Sequence, residues 1–351
     1  MSAQPAAALT AIPGTPIREV AARDSTLLRR EIQEGAEPLV IRGLVAQWPA
    51  VAAARNSPEA LLDYLRRFDS GVAVDALMTA PEVRGRVFYR EGLRGFNFVR
   101  NRLPLSHLAE QALRYAAFPE PPAVAAQSAP IAECLPGFEA DNPLPLADPS
   151  ARPRIWLGNA ITTPTHLDEW FNLGCVVCGR RRFTLFPPEQ LVNLYVGPLD
   201  YAPTGAPMSL VPLHAPDFER FPRFRAALTA ARRAELGPGD VLFIPPLWWH
   251  HVESLAPLNV LVNYWWHAGG APVGANSGYD SLLHAMLHIR GLPAPVRAAW
   301  ASLFQHYVFG AGPEVTQHIA PERRGILGEL PGAEEQRWRA LLAQRLLQKP
   351  A

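Results

Sequence analysis

Residues 237–254 read GPGDVLFIPPLWWHHVES, and this stretch decides the fold. Its first four residues, Gly237 to Asp240, are typical of a tight turn. An apolar run, two prolines and a pair of histidines follow in that order. We interpret VLFIPPLWWHH as one strand that leaves the turn and presents a histidine at its far end.

Short apolar runs broken by proline and glycine continue on both sides of this stretch, from residue 151 to residue 269. Such runs predict the strands of an antiparallel barrel or sandwich. The predicted strands include RIWLGNA, EWFNLGCVVCG, RRFTLFPPEQ and LNVLVNYWW. A helical insert, FERFPRFRAALTAARRAE (residues 218–235), is predicted to interrupt them.

A further predicted strand carries His166, Leu167 and Asp168. Residues i and i+2 of a strand point to the same face, so His166 and Asp168 can aim an imidazole and a carboxylate at one point inside a barrel. A histidine from a neighbouring strand, His250, would complete a two-histidine, one-carboxylate set, which is typical of non-haem Fe(II) oxygenases. His251 competes with His250, because alternation along a strand lets only one of them face inward.

The flanking regions are predicted to be mixed or helical. A strand is predicted in EPLVIRGLV (residues 37–45), a helix starts at Ser57-Pro58, and a second helix covers PLSHLAEQALRYA (residues 104–116). Apolar stripes beyond residue 275 predict a helical bundle. The resulting plan is a loose tail (1–16), an N-terminal α/β elaboration (17–150), a β core (151–269) and a C-terminal helical region (270–351).

Composition and charge exclude several classes of protein. The chain has 351 residues, a hydrophobic fraction of 48% and a charged fraction of 19%, as expected of a globular protein with a large core. Its formal net charge of +1 gives no signal for nucleic acid or an anionic membrane. The amino terminus lacks the basic start of a signal peptide, and no run of about 18 uncharged apolar residues occurs, so we expect a cytoplasmic protein without a membrane span.

Three cysteines, Cys134, Cys175 and Cys178, are too few for a disulfide framework and suit a reducing compartment. Cys175 and Cys178 match the spacing C-x-x-C, which often marks zinc or redox sites. They lie in an apolar predicted strand without a second pair, and strand residues three apart face opposite sides. We therefore interpret both as packing residues, and we interpret His214 and His267 as packing or surface residues as well.

Several motifs occur in order across residues 155–266. They are THLDEWFN (165–172), GRRRFTLFPPEQL (179–191), LYVGP (194–198), DFERFPRF (217–224), GPGDVLFIPPLWWHHVES (237–254) and NYW (263–265). In these motifs the chain resembles the cupin-like JmjC family, and within it the asparaginyl hydroxylases. The resemblance implies a mainly β fold with α, namely a double-stranded β-helix (cupin or jelly-roll barrel) with an N-terminal α/β elaboration and a C-terminal helical region. It also implies the use of Fe(II), 2-oxoglutarate and O₂.

The resemblance assigns roles to individual residues. His166, Asp168 and His250 match the iron ligands, which favours His250 over His251. The other matches are Thr163, a hydroxyl that binds the oxoglutarate carboxylate; Asn172 and Asn263, amides near the cosubstrate; Trp265, an aromatic wall of the pocket; and Gln127, a glutamine on the substrate side.

Two positions depart from the family's pattern. The lysine that pairs with the distal carboxylate of oxoglutarate falls at Arg181, whose guanidinium keeps the charge but changes reach and geometry. A tyrosine that helps to hold the same carboxylate falls at Ala125, which would remove a hydroxyl and enlarge the pocket. Both departures affect the cosubstrate and not the metal.

We therefore expect an Fe(II)- and 2-oxoglutarate-dependent dioxygenase that hydroxylates a protein side chain or a small molecule. Two alternatives remain open. One is a metal-dependent cupin enzyme, such as a lyase or isomerase, that does not use oxoglutarate, and the other is a non-catalytic metal-containing binding module. In this family the C-terminal helices also form a dimer interface, which predicts a homodimer through residues 270–351.

Overall fold

Turns rich in glycine and proline divide the chain into short strands and helices. The structure is a computed structural model that describes residues 13–22, 25–203, 205–267, 278–310 and 312–347. Residues 1–12 of the predicted loose tail therefore lie outside the described residues. The chain divides into two compact units, Met1–Ala275 and Asn276–Ala351.

The strands belong to the first unit. They are β1 (Thr15–Pro16), β2 (Arg18–Ala21), β3 (Leu39–Arg42), β4 (Ala73–Thr79), β5 (Phe98–Pro104), β6 (Ala123–Ala126), β7 (Ala129–Pro130), β8 (Arg152–Gly158), β9 (Thr162–Leu167), β10 (Phe171–Cys178), β11 (Arg181–Phe186), β12 (Arg232–Leu236), β13 (Val241–Ile244), β14 (Trp249–Ser254) and β15 (Asn259–Trp266). These bounds confirm the strands predicted in EPLVIRGLV, RIWLGNA, EWFNLGCVVCG, RRFTLFPPEQ and LNVLVNYWW.

Helices lie in both units. In the first they are α1 (Ser25–Glu34), α2 (Pro49–Asn56), α3 (Pro58–Arg66), α4 (Leu105–Tyr115), α5 (Ile131–Cys134), α6 (Phe138–Asp141) and α7 (Phe224–Ala230). In the second they are α8 (Gly278–Ile289), α9 (Ala294–Phe304) and α10 (Gly332–Leu347).

The strands form two sheets that face each other. Five strands lie in the order β1-β12-β11-β14-β9, and ten form a sheet with the path β2-β3-β13-β10-β15-β8-β6-β4-β5, in which β7 pairs with β8. Val176 and Leu242 of the larger sheet share one buried apolar cluster with Phe183 and Val252 of the smaller sheet. Facing, mostly antiparallel sheets of this kind confirm the predicted double-stranded β-helix, or jelly roll.

N-terminal helices cover the outer face of the larger sheet. Leu61 of α3 belongs to the same buried cluster as Leu173 and Cys175 of β10. α3 begins where it was predicted to begin, because the Ser57 hydroxyl accepts a hydrogen bond from the N–H of Ala60 at 3.0 Å. The N-terminal elaboration therefore shares its core with the barrel.

The prediction that VLFIPPLWWHH forms a single strand is wrong. β13 ends at Ile244 and pairs with β3 and β10 in the larger sheet, whereas β14 begins at Trp249 and pairs with β11 and β9 in the smaller sheet. Pro245 and Pro246 have no N–H to donate to a ladder, and Leu247 has a left-handed φ of 64°. The chain therefore leaves one sheet and enters the other within a few residues.

The turn before β13 is tied to the N-terminal strands. The carboxylate of Asp240 accepts hydrogen bonds from the N–H groups of Gly43 at 3.0 Å and Gly237 at 3.1 Å. It also accepts one from the guanidinium of Arg42 at 2.6 Å. Gly43 has a φ of 71°, which a glycine adopts without strain at the end of β3. These contacts fix the start of β13 beside β3.

The helical insert is shorter than predicted. α7 ends at Ala230, and Ala231 takes an extended ψ of 141°. Residues 232–236 then form β12, which pairs with β11 and with β1. Because β1 pairs there, Thr15 and Pro16 belong to a sheet and not to the predicted loose tail.

The second unit consists of the helices predicted beyond residue 275, and a π-helical turn, Gln305–Phe309, continues α9. None of the described side chains of α8, α9 and α10 is buried. The predicted bundle therefore lacks a core among these described side chains. No helix within the described ranges is long and apolar enough to cross a membrane.

Cys175 and Cys178 lie in the same apolar cluster, so the prediction that they face opposite sides is wrong. The pairing of β10 with β15 shifts register between Val176 and Cys178, and this irregularity returns Cys178 to the face of Cys175. Burial raises the pKa of Cys178 to about 11 and also raises the pKa of Cys175. Both groups are therefore protonated thiols at neutral pH, which supports their interpretation as packing residues.

We expect the double variant Cys175→Ser with Cys178→Ser to keep its metal content and to unfold more easily. Serine at position 175 buries a hydroxyl in an apolar cluster, which lowers the free energy of unfolding by about 1–3 kcal/mol if the hydroxyl stays unpaired. Serine at position 178 costs less, because the Leu258 carbonyl oxygen lies 3.7 Å from the Cys178 Sγ and can accept from it. Elemental analysis and urea unfolding measure the two quantities. Cys134→Ser, in the same cluster but outside the C-x-x-C pair, is the matched control. Loss of bound zinc in the double variant alone would contradict the packing interpretation.

Candidate metal centre

Two neighbouring strands of the smaller sheet bring the histidines together. β9 and β14 pair antiparallel, with His250 directly opposite His166. Both imidazoles are buried, and their ring centroids lie 4.2 Å apart. The register of this one strand pair therefore sets the spacing of two ligands.

Asp168 supplies the third group from a position just beyond the strand. β9 ends at Leu167, so the prediction that His166 and Asp168 share one strand is wrong by one residue. The carbonyl oxygen of Asp168 accepts a hydrogen bond from the N–H of Leu247 at 2.8 Å, which holds this loop beside the start of β14. The Asp168 Oδ2 lies 3.5 Å from the His250 Nε2.

The backbone orients both imidazoles. The Nδ1 of His166 lies 2.8 Å from the carbonyl oxygen of Pro164, and the Nδ1 of His250 lies 3.0 Å from that of Trp248. A carbonyl oxygen only accepts, so each Nδ1 carries the proton and each Nε2 keeps its lone pair. Such outer hydrogen bonds fix the tautomer and ring direction of metal-binding histidines.

The charges of the three groups suit a divalent cation. Burial, together with the neighbouring His250, lowers the pKa of His166 to about 4, so this imidazole is neutral at pH 7. Burial alone would raise the pKa of Asp168, but the neighbouring imidazoles of His250 and His166 outweigh that effect, and the pKa is lowered. One ligand atom from each of His166, Asp168 and His250 lies within 4.8 Å of the others. The set is that of a 2-histidine-1-carboxylate iron site.

A cavity between the two sheets opens onto these three groups, and we call it the inner cavity. It is lined by the five residues that the family resemblance assigns to the cosubstrate, namely Thr163, Asn172, Arg181, Asn263 and Trp265. The remaining lining residues are Trp156, Gly174, Phe183, Ile244, Val252 and Leu261. The fold thus places the polar candidates around one space, with apolar side chains between them.

Several buried polar atoms in this cavity lack a protein partner among the described residues. They are the Nε of Arg181, the Oδ1 of Asn172 and the Nε1 of Trp265. Burial lowers the pKa of Arg181 to about 10, so its guanidinium stays charged at pH 7. A buried charge without a partner is strongly destabilising, which makes this cavity suited to an anionic ligand.

The turn before β11 positions Arg181. Gly179 has a φ of 77°, and a Cβ there would lie within 2.5 Å of the Leu258 carbonyl oxygen. Only glycine therefore fits the turn. The turn delivers Arg181 to the first position of β11, where it pairs in register with Ser254 and Leu236.

Gln127 and Ala125 do not line the inner cavity. The Gln127 side chain makes one weak contact, from its Nε2 to the Ala126 carbonyl oxygen at 3.5 Å, and its substrate role stays a prediction. Ala125 packs in a small apolar cluster with residues such as Leu77 and Ile161. Ala125 itself therefore does not border the inner cavity, and the enlargement expected from the loss of a tyrosine at this position stays a prediction.

The other histidines lie away from the three ligand groups. His251 faces the opposite side of β14 and, with His214, lines a separate cavity. The Nε2 of His267 accepts a hydrogen bond from the Nε1 of Trp170 at 2.8 Å. These placements agree with the interpretation of all three as residues other than metal ligands.

Sequence reasoning missed Trp156. Its indole lines the inner cavity, and its Nε1 donates to the Oδ1 of Asn263 at 2.9 Å, which orients that amide. Alternation in RIWLG places Trp156 on one face of β8, but only the pairing with β15 shows that this face is the inner one.

The comparison with known families agrees with this architecture. A sequence model of the family described as a cupin-like domain matches residues 25–271. The chain belongs to the cupin-like family. The match covers most of the N-terminal elaboration and all strands from β3 to β15, and it confirms the resemblance drawn from the motifs.

Three relatives show how far the similarity extends. Human HSPB1-associated protein 1 is 42% identical over 113 residues, which cover 32% of this chain and 22% of that protein. Lysine-specific demethylase JMJ31 of Arabidopsis thaliana is 36% identical over 115 residues, or 32% of this chain and 20% of that protein. The tRNA wybutosine-synthesizing protein 5 of Danio rerio is 38% identical over 152 residues, which cover 39% of this chain and 43% of that protein. The match therefore spans less than half the length of each relative.

We expect His166→Ala, Asp168→Ala and His250→Ala each to abolish tight Fe(II) binding, because each removes one of three ligands. His251→Ala is the matched control and keeps the metal, since its ring faces the other side of the strand. Anaerobic titration followed by elemental analysis measures the stoichiometry. Retention of iron by His250→Ala together with its loss from His251→Ala would show that the ligand assignment is wrong.

Proposed function

We propose that this cupin-like protein is an Fe(II)- and 2-oxoglutarate-dependent oxygenase. The observation that carries the proposal is the buried guanidinium of Arg181 in the same cavity as His166, Asp168 and His250. Its Nε has no hydrogen-bond partner among the described residues. A metal site alone needs no second cation, whereas a dicarboxylate cosubstrate needs one at the carboxylate far from the metal. The alternatives without oxoglutarate leave Arg181 unexplained.

The bound iron and oxoglutarate would supply the activation of O₂ and the transfer of one oxygen atom to a C–H bond of the substrate. The chain's own residues bind and orient these groups. His166, Asp168 and His250 occupy one face of the metal and leave the other positions for ligands. Arg181 would neutralise the distal carboxylate, with Thr163 as a further donor to it. Apolar side chains such as Phe183 and Leu261 exclude water from the cavity.

The proposed reaction is hydroxylation, and the proposed substrate is a protein side chain or a small molecule. Oxygen insertion at a C–H bond is also compatible with demethylation, which the name of the Arabidopsis relative specifies for that protein. Conversion of oxoglutarate to succinate separates the oxygenase from a cupin lyase, an isomerase or a binding module.

Titration with 2-oxoglutarate tests the proposal. We expect Fe(II)-loaded protein to develop the metal-to-ligand absorption band of chelated oxoglutarate under anaerobic conditions. Arg181→Ala removes a charge-assisted contact worth about 1.5–3 kcal/mol and weakens binding by roughly tenfold to a hundredfold. Arg181→Lys keeps the charge and weakens binding much less.

Arg180→Ala is the control for this titration, because Arg180 is exposed and forms an ion pair with Glu235 at 2.9 Å. It leaves oxoglutarate affinity unchanged. If iron is bound but no band develops at millimolar oxoglutarate, the metal-only cupin alternative replaces this proposal.

We also propose that the second unit mediates a homodimer. Large apolar side chains follow one another at helical spacing along α9 and its π-helical extension, and they are exposed: Trp300, Leu303, Tyr307, Val308 and Phe309. Exposed apolar surface of this kind is typical of an interface between protein copies.

Sedimentation velocity tests the homodimer. We expect the wild-type chain to sediment as a dimer and the double variant Trp300→Glu with Leu303→Glu to sediment as a monomer, because burying the introduced charges is unfavourable. Val99→Glu, at an exposed valine of β5, is the control and leaves the dimer intact. A wild-type chain that stays monomeric over a wide concentration range contradicts the proposal.

A further inference from the structure

The two strands that carry the metal-binding histidines also present polar side chains on their other face. Thr165 lies next to His166 in β9, and His251 lies next to His250 in β14. Neighbouring residues of a strand point to opposite faces, so these two side chains face away from the inner cavity. Segment 208–214 packs over this outer face, with Val211 and Leu213 in its apolar cluster.

A second cavity lies beneath that segment, and we call it the outer cavity. Its volume is about 290 Å³, near the lower end of the range for small-molecule sites. Thr165, His251, His214 and Arg86 line it together with apolar side chains such as Val211. No lining residue is acidic.

Two buried polar atoms in this wall lack a partner among the described residues. Thr165 is 2% exposed and His251 is 5% exposed. The Oγ1 of Thr165 and the Nδ1 of His251 make no hydrogen bond there. Buried polar groups are almost always hydrogen-bonded, so two unpaired atoms on residues that line one cavity indicate a missing polar partner.

The charge in the outer cavity is positive. Arg86 forms no ion pair with any described carboxylate. Burial and the nearby charge of Arg86 lower the pKa of His214, so this imidazole is disfavoured as a cation. The guanidinium of Arg86 is therefore the charge that a ligand would meet.

We propose that the outer cavity is a second ligand site that binds a small oxyanion, a phosphate or a carboxylate. The guanidinium of Arg86 supplies the charge, and the Thr165 hydroxyl and the His251 imidazole donate hydrogen bonds from the buried wall. Arg, hydroxyl and imidazole donors together are a common set for such anions. The site is separate from the inner cavity and does not depend on the proposed oxygenase reaction.

Calorimetric titration of the metal-loaded full chain with sodium phosphate, and separately with sodium acetate, tests this site. We expect saturable binding of at least one of them, and the tighter of the two identifies the class of anion. Arg86→Gln weakens that binding about tenfold or more, because it removes the charge-assisted contact. Thr165→Val, which keeps the shape of the side chain, weakens it several-fold.

Three control variants locate the binding. Arg84→Gln changes an exposed arginine two residues away that does not line the outer cavity, so it binds like the wild type. Asp168→Ala and Arg181→Ala disable the inner cavity and also keep the binding. The proposal is overturned if neither anion saturates the wild type, if Arg86→Gln and Thr165→Val both bind normally, or if binding is lost with Asp168→Ala or Arg181→Ala.

Discussion

The hydrogen bond from the N–H of Leu247 to the carbonyl oxygen of Asp168 holds the metal site together. Asp168 lies beyond the last residue of its strand, where no ladder fixes it, and Leu247 lies where the chain crosses between sheets. A single backbone contact joins these two irregular points. The remaining geometry follows from regular pairing, because His166 and His250 already lie opposite each other in neighbouring strands. The site is therefore built from the paired strands β9 and β14 together with the loop that crosses from β13 to β14.

Both faces of the smaller sheet carry buried polar atoms that lack a hydrogen-bond partner among the described residues. Within the described part of the chain, the Nε of Arg181 has no partner on the inner side, and the Nδ1 of His251 and the Oγ1 of Thr165 have none on the outer side. Each such group costs about 1–3 kcal/mol when it stays unpaired in the interior. The apolar clusters of the two sheets and the overlying segments offset that cost. Binding of ligands would then recover stability that folding alone leaves unrealised.

Local sequence was sufficient to predict His166, Asp168 and most strands, whereas the choice of His250 over His251 came from the family resemblance. The i, i+2 spacing of His166 and Asp168 reports side-chain direction, which is a property of a few consecutive residues. Partners across a sheet are a long-range property, so the inner position of Trp156 could not be read from its own strand. Local sequence also could not predict the register shift that turns Cys178 toward the face of Cys175. This shift occurs in the pairing of β10 with β15, which is again a long-range contact. The early end of α7 is a long-range property as well, because the residues after it form β12, which pairs with β11 and β1.

The short crossing between β13 and β14 also limits how this chain can change length. Because side chains alternate along a strand, a gain or loss of one residue between Ile244 and Trp249 would turn every side chain of β14 to the other face. The two adjacent histidines would then exchange places, with His251 beside His166 and Asp168 and with His250 in the wall of the outer cavity. A surface loop absorbs an insertion without such an exchange. The length of this crossing therefore determines which of the two histidines faces the candidate metal site.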